Sequence, residues 1–355
     1  MPFPTFTLHQ LGWRPGHARH LTLEDFEAGY PARVVGVHRN GLSVLSARGA
    51  ALVALPHAVA AAIEPAVTVG DWVLLETEAP RVLRIIERQS LVARIAAGGE
   101  HRMQAIAANL DSLFVVTSCN DDFNPSRLER YLAVAFEAGI EPVVVLTKAD
   151  LCADTAGYVD AVQAIAAGVA AVAVDATSPA SAARLAPWLE EGRTVAFAGS
   201  SGVGKSTLAN SLVGRAAQAT GGIREDDARG RHTTTSREMF ALPSGAWVID
   251  TPGMRELRIG AVEAGVGAVF DDIEAFAAQC RFRDCRHEGD AGCAVERALA
   301  EGRLDARRLA SYRKLQREAA KAAYTARERH EHARRFGLMS RQVQQLQRER
   351  KGRDA

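Results

Sequence analysis

The chain has 355 residues, of which 47% are apolar and 24% are charged, and its formal net charge is +1. This length and composition are typical of a globular protein with two or three domains that can bury a core. They argue against a membrane-spanning or secreted protein, because no apolar run reaches the ~18 residues needed to cross a bilayer and Met1–Gln10 lacks the segments of a secretory signal. We therefore expect a cytoplasmic monomer.

The N-terminal part of the chain is predicted to be an arm followed by a small barrel. Residues 1–28 contain three prolines and little periodicity, so we expect a flexible arm. Residues 29–92 change to short β-rich runs, and Asn40-Gly41 between the first two is a hairpin signal because both residues tolerate positive φ. Five short strands indicate a barrel that is either OB-like or SH3-like. The predicted strands are 33–38, 42–46, 51–55, 70–76 and 81–87.

Residues 93–262 alternate strands with helices, which predicts a parallel α/β sheet. A helix is expected over 125–138. After about Gly260 the strand pattern stops, so we expect a helical domain over 263–325 and a basic tail, helical or disordered, over 326–355. The predicted strands are 112–117, 142–146, 172–174, 194–198 and 246–249.

A phosphate-binding motif follows the strand at 194–198. Its sequence, Gly-Ser-Ser-Gly-Val-Gly-Lys-Ser, fits G-x-x-x-x-G-K-[ST] and precedes a helix start. In such a loop, backbone N–H groups and the helix N-terminus bind phosphate. Lys205 is predicted to contact the β and γ phosphates, and the Ser206 hydroxyl to bind Mg²⁺. The predicted nucleotide-binding residues are Gly199, Ser200, Ser201, Gly202, Val203, Gly204, Lys205, Ser206 and Thr207.

Two downstream elements complete a predicted Mg²⁺ site. The strand at 246–249 leads into Asp250-Thr-Pro-Gly253, a D-x-x-G element. Asp250 is predicted to hold Mg²⁺ through water, and the Gly253 amide to face the γ-phosphate. Residues 230–235, Gly-Arg-His-Thr-Thr-Thr, suit a switch loop whose Thr234 closes on Mg²⁺ when the γ-phosphate is present.

The predicted guanine-recognition element, Thr147-Lys148-Ala149-Asp150, lies upstream of the phosphate loop, after the strand at 142–146. Chain order does not prevent the two from meeting, because parallel strands end at the same edge of a sheet. Asp150 can accept from guanine N1–H and the exocyclic amine, while the Lys148 stem covers the base. Adenine lacks both donors, so the carboxylate disfavours ATP.

A cluster of cysteine and histidine is predicted to bind metal. Three of the five cysteines lie within fourteen residues of one another, with one histidine between them. Three thiolates and one imidazole match a closed, tetrahedral Zn²⁺ site in a reducing compartment, and buried free thiols are the alternative. The predicted ligands are Cys280, Cys285, His287 and Cys293.

Basic residues suggest a polyanionic partner. Sixteen Lys or Arg and six Asp or Glu lie between Arg303 and Ala355, which favours nucleic acid, although a solvated helix face is an equal alternative on charge alone. Basic positions on the barrel permit contact with an RNA backbone without demonstrating it. They are Arg39, Arg48, Arg81, Arg84 and Arg88.

The ordered motifs resemble those of the circularly permuted GTPases of the RsgA (YjeQ/EngC) type, the ribosome small-subunit-dependent GTPases. The resemblance also includes Gln104-Ala-Ile-Ala-Ala-Asn109-Leu-Asp111 and covers nearly the whole chain. It implies an OB domain, a permuted GTPase domain and a zinc domain. It further implies binding of rRNA in the small ribosomal subunit during late assembly, and stimulation of GTP hydrolysis to GDP and phosphate by that subunit.

Two departures from the family pattern concern guanine binding. Thr147 stands where asparagine is common, so we expect a weaker hydrogen bond between this loop and the phosphate loop. Asp175-Ala176 replaces the usual Ser-Ala, and the Ala176 amide is the candidate to face guanine O6.

The sequence also leaves open which group orients the attacking water. Met254 occupies the place of the glutamine that orients water in many GTPases, so slow turnover is expected, with Lys205 and Gly253 stabilising the phosphates. His232 could supply the missing group, contact RNA, or leave the task to the ribosome. Two rival functions remain: an RNA-binding module that binds GTP without turnover, and an ATPase.

Overall fold

The computed structural model describes residues 5–79, 81–95, 103–213, 238–250 and 262–323. No helix among them is long and apolar enough to cross a membrane. The strands are β1 Gly29–His38, β2 Gly41–Ser46, β3 Gly49–Val53, β4 Trp72–Glu76, β5 Val82–Ile85, β6 Leu91–Ile95, β7 Met103–Ala108, β8 Ser112–Ser118, β9 Glu141–Thr147, β10 Ala170–Ala173, β11 Thr194–Ala198, β12 Glu238–Ala241 and β13 Trp247–Asp250. The helices are α1 Pro15–Ala18, α2 Leu23–Ala28, α3 His57–Ala61, α4 Pro125–Glu137, α5 Thr155–Ile165, α6 Pro179–Leu185, α7 Lys205–Val213, α8 Glu263–Val269, α9 Asp271–Ala277, α10 Ala294–Ala300 and α11 over 306–323.

The described part of the N-terminal segment is packed, and this corrects the expectation of a flexible arm over 1–28. The Trp13 ring meets the Trp72 ring of β4 edge-on, with centroids 4.8 Å apart. The indole N–H of Trp247, on β13, donates to the Gln10 carbonyl at 2.6 Å. Burial of aromatic rings therefore outweighs the proline content and holds this segment on both the barrel and the central sheet.

Strands β1 to β5 form a closed barrel. β1 pairs antiparallel with β2 on one side and with β4 on the other, while β3 pairs with β2 and β5 with β4. A parallel bridge between Ala54 and Arg81 joins the end of β3 to the start of β5. This ring order confirms the OB-like alternative over the SH3-like one. The first hairpin turn lies at Arg39 and Asn40, one residue earlier than predicted, and Gly41 opens β2 at φ +152°.

The central sheet contains five parallel strands in the order β10-β9-β8-β11-β13, and β12 adds to β13 in the antiparallel direction. A pairing of Gly36 with Glu238 joins β1 to β12 and makes the barrel continuous with this sheet. Alternate side chains of a strand point to opposite faces. Leu113 and Val115 of β8 accordingly pack in the core with α4 and α5, whereas Phe114 packs in the core with α6 and α7.

The C-terminal helices pack on α4. The Glu129 carboxylate is fully buried and accepts hydrogen bonds from Arg307 at 3.0 and 3.2 Å and from Arg308 at 3.5 Å. The Gly265 amide of α8 donates to the Glu137 carboxylate at 2.8 Å. A Cβ on Gly265 would lie 2.0 Å from a backbone oxygen of α4, so this close approach requires glycine.

The predicted strands of the barrel and the sheet are found with small shifts at their ends. The antiparallel hairpin of β6 and β7 was not predicted from the sequence, and neither was β12. The expected domain boundary between residues 92 and 93 falls inside β6. β7 is rich in alanine, which has a low β propensity.

Asn109, directly after this hairpin, connects it to three segments of the barrel region. Its side-chain amide donates to the Gly70 carbonyl and its side-chain oxygen accepts from the Gln89 amide, both at 2.9 Å. Its backbone carbonyl accepts from the buried Arg33 guanidinium at 3.0 Å. Asn109 has φ 54°, in the left-handed region that asparagine tolerates better than most residues.

We expect Asn109→Ala to lower the free energy of unfolding by about 2–4 kcal/mol, because one buried and one partly buried backbone group lose their partners and alanine is strained at this φ. The control is Asn40→Ala in the exposed first hairpin turn, where a change within about 0.5 kcal/mol is expected. Urea unfolding followed by tryptophan fluorescence measures both. Equal effects of the two substitutions would contradict the connecting role of Asn109.

Candidate functional site

The described parts of the predicted nucleotide site lie at one edge of the central sheet. Because β8, β9, β10, β11 and β13 are parallel, their carboxyl ends share that edge. The Thr147–Asp150 element begins at the end of β9, Asp175-Ala176 follows β10, residues 199–206 follow β11, and Asp250 ends β13. Segments distant in the chain are thereby brought to one place.

The phosphate loop between β11 and α7 is tightly packed. Gly199 has φ +144°, and a Cβ there would lie 2.2 Å from the Val116 carbonyl oxygen. Gly204 has φ +93° at the start of α7. The Lys205 ammonium donates to the Gly199 carbonyl at 2.8 Å and also to the Ser200 carbonyl. This arrangement at a helix N-terminus fits a loop that binds phosphate through backbone N–H groups.

The remaining residues of the loop differ in burial. Val203 is 1% exposed and packs in the core with α6 and α7. The solvent-exposed members of the predicted set are Ser201, Gly202, Ser206 and Thr207.

Thr147 connects the guanine-recognition element with the phosphate loop. Its side chain is buried, and its hydroxyl oxygen lies 2.6 Å from the Val203 carbonyl oxygen and 3.0 Å from that of Thr117. A hydroxyl has one proton, and the shorter distance favours Val203 as the acceptor. Threonine thus makes a direct link between the two loops, although a weaker link was expected in the absence of asparagine.

The predicted guanine-recognition element continues as a short 3₁₀ turn. Lys148 precedes this turn with φ 57°, and Asp150 lies on it with an exposed side chain. The Ala149 amide donates to the Val174 carbonyl at 3.2 Å, which places the element beside the end of β10. The Asp150 carboxylate is therefore accessible to a ligand at this edge.

The segment after β10 is fixed on both sides. The Ala176 carbonyl accepts from the Ser211 hydroxyl of α7, and Ala176 itself is buried. The Asp175 carboxylate accepts from the Thr177 hydroxyl at 2.7 Å and from its amide at 2.8 Å, and these hydrogen bonds lower the pKa of Asp175. This carboxylate therefore shapes the turn that holds Ala176.

Two predicted Mg²⁺ ligands lie on neighbouring elements. Ser206 is in the first turn of α7, after β11, and Asp250 ends β13, which pairs with β11. A hydroxyl and a carboxylate are the oxygen donors that Mg²⁺ prefers. The other predicted residues of this region, His232, Thr234 and Gly253, lie outside the described residues, as does Met254.

A residue that was not among the predicted site residues lies at the start of the helix after β8, a helix that was itself expected over 125–138. This strand lies between β9 and β11, so its carboxyl end borders both loops. Arg127, in the first turn of α4, donates from Nη1 to the Ser200 hydroxyl and lies 4.0 Å from the Asp122 carboxylate. Asn124-Pro125 is a typical helix start, and α4 begins there as predicted. The contact of Arg127 with the phosphate loop becomes visible only from the order of the strands.

Three of the five basic barrel residues are bound to carboxylates. Arg88 donates to the buried Asp71 carboxylate at 2.7 and 2.8 Å. Arg39 and Arg48 have no ion-pair partner in the described ranges, so they are the better candidates to meet an anion. The other two ion pairs are Arg81 with Glu76 and Arg84 with Asp25.

The four predicted metal ligands, Cys280, Cys285, His287 and Cys293, come together. Their ligand atoms all lie within 4.8 Å of one another. Nδ1 of His287 is 3.4–3.6 Å from the three sulfurs, and the sulfurs of Cys280 and Cys293 are 3.9 Å apart. Zinc bonds are ~2.3 Å to sulfur and ~2.0–2.1 Å to nitrogen. In a tetrahedron these bonds place sulfur about 3.6 Å from nitrogen and two sulfurs about 3.8 Å apart. The three distances to His287 and the distance between Cys280 and Cys293 fit such an ion.

Backbone amides surround this cluster. The Ala294 amide donates to the Cys280 sulfur at 3.3 Å, and the Glu296 amide donates to the Cys293 sulfur at 3.4 Å. Both amides belong to the first turn of α10, where the positive end of the helix dipole favours thiolates. The cluster can therefore hold a metal and connect α10 to the loop before it.

Comparison with known proteins gives a consistent result. The sequence model of the RsgA GTPase matches residues 85–260. A model of ABC transporters also matches residues 184–345, a range that contains the phosphate loop. The small ribosomal subunit biogenesis GTPase RsgA 2 of Vibrio vulnificus is 51% identical over 339 residues, which make up 96% of this chain and 95% of that protein. The small ribosomal subunit biogenesis GTPase RsgA of Mesorhizobium japonicum is 46% identical over 88% of this chain and 90% of its own.

Two crystal structures share the fold. YjeQ from Thermotoga maritima aligns with a TM-score of 0.61 and 24% identity over 82% of this chain and 98% of its own. YloQ, a circularly permuted GTPase, aligns with a TM-score of 0.57 and 23% identity over 87% of this chain and 98% of its own. The order of the motifs around the sheet and the 51% identity along almost the whole chain lead to one conclusion: this chain belongs to the RsgA GTPase family.

Proposed function

We propose that this GTPase couples hydrolysis of GTP to late maturation of the small ribosomal subunit, and that the subunit stimulates its turnover. Its relatives of similar length are named small ribosomal subunit biogenesis GTPases. The observation that carries the proposal within the chain is the meeting of the phosphate loop and the Thr147–Asp150 element at one sheet edge, joined by the Thr147 hydroxyl.

Guanine recognition is assigned to the loops after β9 and β10. Asp150 accepts from guanine N1–H and the exocyclic amine, and the Lys148 stem covers the base face. The Ala176 amide faces guanine O6. Adenine has neither of the two donors that Asp150 needs, and leaving a buried acceptor unpaired costs binding free energy. This difference favours GTP over ATP.

The phosphates are assigned to residues 199–207, with Lys205 on the β and γ phosphates and the Gly253 amide facing the γ-phosphate. Ser206, Asp250 and Thr234 would hold Mg²⁺, which when bound neutralises charge on the phosphoryl oxygens. Release of the γ-phosphate would free Thr234, so that the switch loop reports the state of the nucleotide.

Activation of the attacking water is the step that the partner is proposed to control. Met254 cannot orient water, so the protein alone should turn over slowly. Either His232 takes this role in the switch loop, or the subunit orders the loop and supplies the group. A partner that contributes a catalytic arginine gives ~10³–10⁵-fold stimulation in other GTPases, and ordering alone should give less.

The barrel and the metal-binding region are the proposed rRNA contacts. Arg39 and Arg48 on the barrel have no ion-pair partner among the described residues and can meet phosphate groups. The Cys/His cluster is assigned one structural Zn²⁺ per chain, because all four tetrahedral positions are filled by protein atoms. The protein would act as a monomer in the cytoplasm.

One experiment decides between this proposal and its rivals: the GTP hydrolysis rate measured against added small subunits. Multiple turnovers that accelerate with subunits support the proposal. Binding to subunits without acceleration would favour an RNA-binding module with a structural nucleotide. Competition between GTP and ATP in the same assay separates a GTPase from an ATPase.

For guanine recognition we expect Asp150→Asn to weaken GTP binding by about 10²–10⁴-fold, since two charge-assisted hydrogen bonds of about 1.5–3 kcal/mol each are lost. Binding of xanthosine triphosphate should increase, because xanthine presents an acceptor where guanine has an amine. Fluorescent nucleotide titration measures both. Unchanged GTP affinity would show that guanine is recognised elsewhere.

For the metal, we expect about one Zn²⁺ per purified chain and its loss in Cys285→Ser, because three ligands hold a structural ion poorly. Chelation should lower the melting temperature of the wild type, since metal binding and local folding are coupled. Cys152→Ser, outside the cluster, is the control and should keep its zinc. Elemental analysis that finds neither zinc nor a substitute ion would refute the assignment.

For hydrolysis, His232→Ala should lose subunit-stimulated turnover while GTP affinity and subunit binding stay unchanged. The reason is that the substitution removes the candidate group for orienting water and leaves the phosphate contacts in place. Single-turnover phosphate release with and without subunits measures this. If stimulated turnover is intact, His232 is not catalytic. The alternative, in which the small subunit supplies the group that orients water, is then favoured.

A further inference from the structure

α4 joins the C-terminal helices to the phosphate loop. We propose that Arg127, in the first turn of α4, is a positioning residue for GTP hydrolysis, through which docking of the C-terminal helices on a partner reaches the phosphate loop. The docking half of this proposal rests on the proposed function, whereas the positioning half concerns the protein alone.

The contact of Arg127 is held in place at both ends. The Asn124 side chain accepts from the Arg127 amide at 2.9 Å and caps the helix, so the backbone of Arg127 is fixed. Its Nη1 donates to the Ser200 hydroxyl. The side chain is 36% exposed, and a guanidinium carries five N–H donors. Donors thus remain for a phosphate oxygen at the same place.

Ser200 is contacted by two cations. Its carbonyl accepts from the Lys205 ammonium, and its hydroxyl accepts from the Arg127 guanidinium. Two cations this close repel each other, and the negative charge of a triphosphate relieves that repulsion. The Arg127 contact therefore fixes the part of the phosphate loop that Lys205 also contacts. Small displacements of groups that bind the phosphates reduce catalysis strongly.

The next residues of α4 carry the C-terminal helices. Glu129 binds Arg307 and Arg308 of α11, and Arg130 binds Glu318 of α11 at 2.7 and 3.0 Å. Arg127 lies on the same or the adjacent helical turn. Because a helix moves as a unit, a displacement of α11 is carried to Ser200 over a short, packed path.

The test compares wild type with Arg127→Gln, Arg127→Lys, Arg130→Gln and the Arg127→Gln/Arg130→Gln double variant. For each, kcat and KM for GTP are measured with and without small subunits, together with GDP affinity and melting temperature. Arg130 does not contact the nucleotide loops among the described residues, and its variant is the matched arginine control on the same helix.

We expect Arg127→Gln to lower the basal kcat by about 2- to 30-fold, with KM and GDP affinity little changed and partial recovery in Arg127→Lys. Arg130→Gln should keep the basal rate and lose part of the stimulation. The double variant should lose no more stimulation than Arg127→Gln alone, because both substitutions interrupt one path.

Three outcomes would overturn the proposal. A wild-type kcat in Arg127→Gln removes the positioning role. Equal losses of GTP and GDP affinity with a lower melting temperature would show that Arg127 only supports the fold. Full stimulation of Arg130→Gln, or multiplicative losses in the double variant, would remove the path through α4. If wild type itself is not stimulated by subunits, the proposed function and the docking half both fail, while the basal rates still test Arg127.

Discussion

The parallel direction of five strands is the constraint on which the rest of this protein depends. Because β8, β9, β10, β11 and β13 all end at one edge, any loop that follows them reaches the same place. The permuted order of the motifs therefore leaves the nucleotide site intact. It changes only which helix or domain follows each motif in the chain. Two such connections matter here. β8 leads into α4, which carries the C-terminal helices, and β13 is followed in the sequence by those helices.

A few buried polar contacts fix these parts relative to one another. Thr147 joins two loops that are separated in sequence, and Asn109 joins the hairpin to the barrel, including Arg33 of β1. Glu129 does the same for α4 and α11. An unpaired polar or charged group in such a place costs several kcal/mol. Each contact thus favours one arrangement of the parts over others that would bury the same apolar surface.

Some arginines are paired with carboxylates inside the protein, whereas others are available to a ligand, and their position in the fold decides which. Arg88 and Arg308 look like any other basic residue in the sequence, yet both are bound to carboxylates and nearly buried. Burial lowers the pKa of Arg308, whereas the carboxylates of Asp272 and Glu129 raise it. The effect of the carboxylates is larger, so the pKa of Arg308 is raised. Arg39 and Arg48, by contrast, have no carboxylate partner in the described ranges and lie on a barrel of the type that binds nucleic acid. A count of basic residues therefore overstates the positive charge that is available to a polyanionic ligand.

The sequence by itself determined the local chemistry of this protein. Glycine spacing in 199–206, the Cys/His spacing around His287, and Asp150 after an apolar strand each depend on neighbours in the chain, and the barrel and most strands followed from periodicity. The tertiary structure decided which distant residues meet. The packing of residues 5–28, the pairing of β6 with β7 and the contact of Arg127 with Ser200 carry no local signal. They depend on the order of strands in the sheet and on burial across domains, and a pattern of neighbouring residues does not encode either.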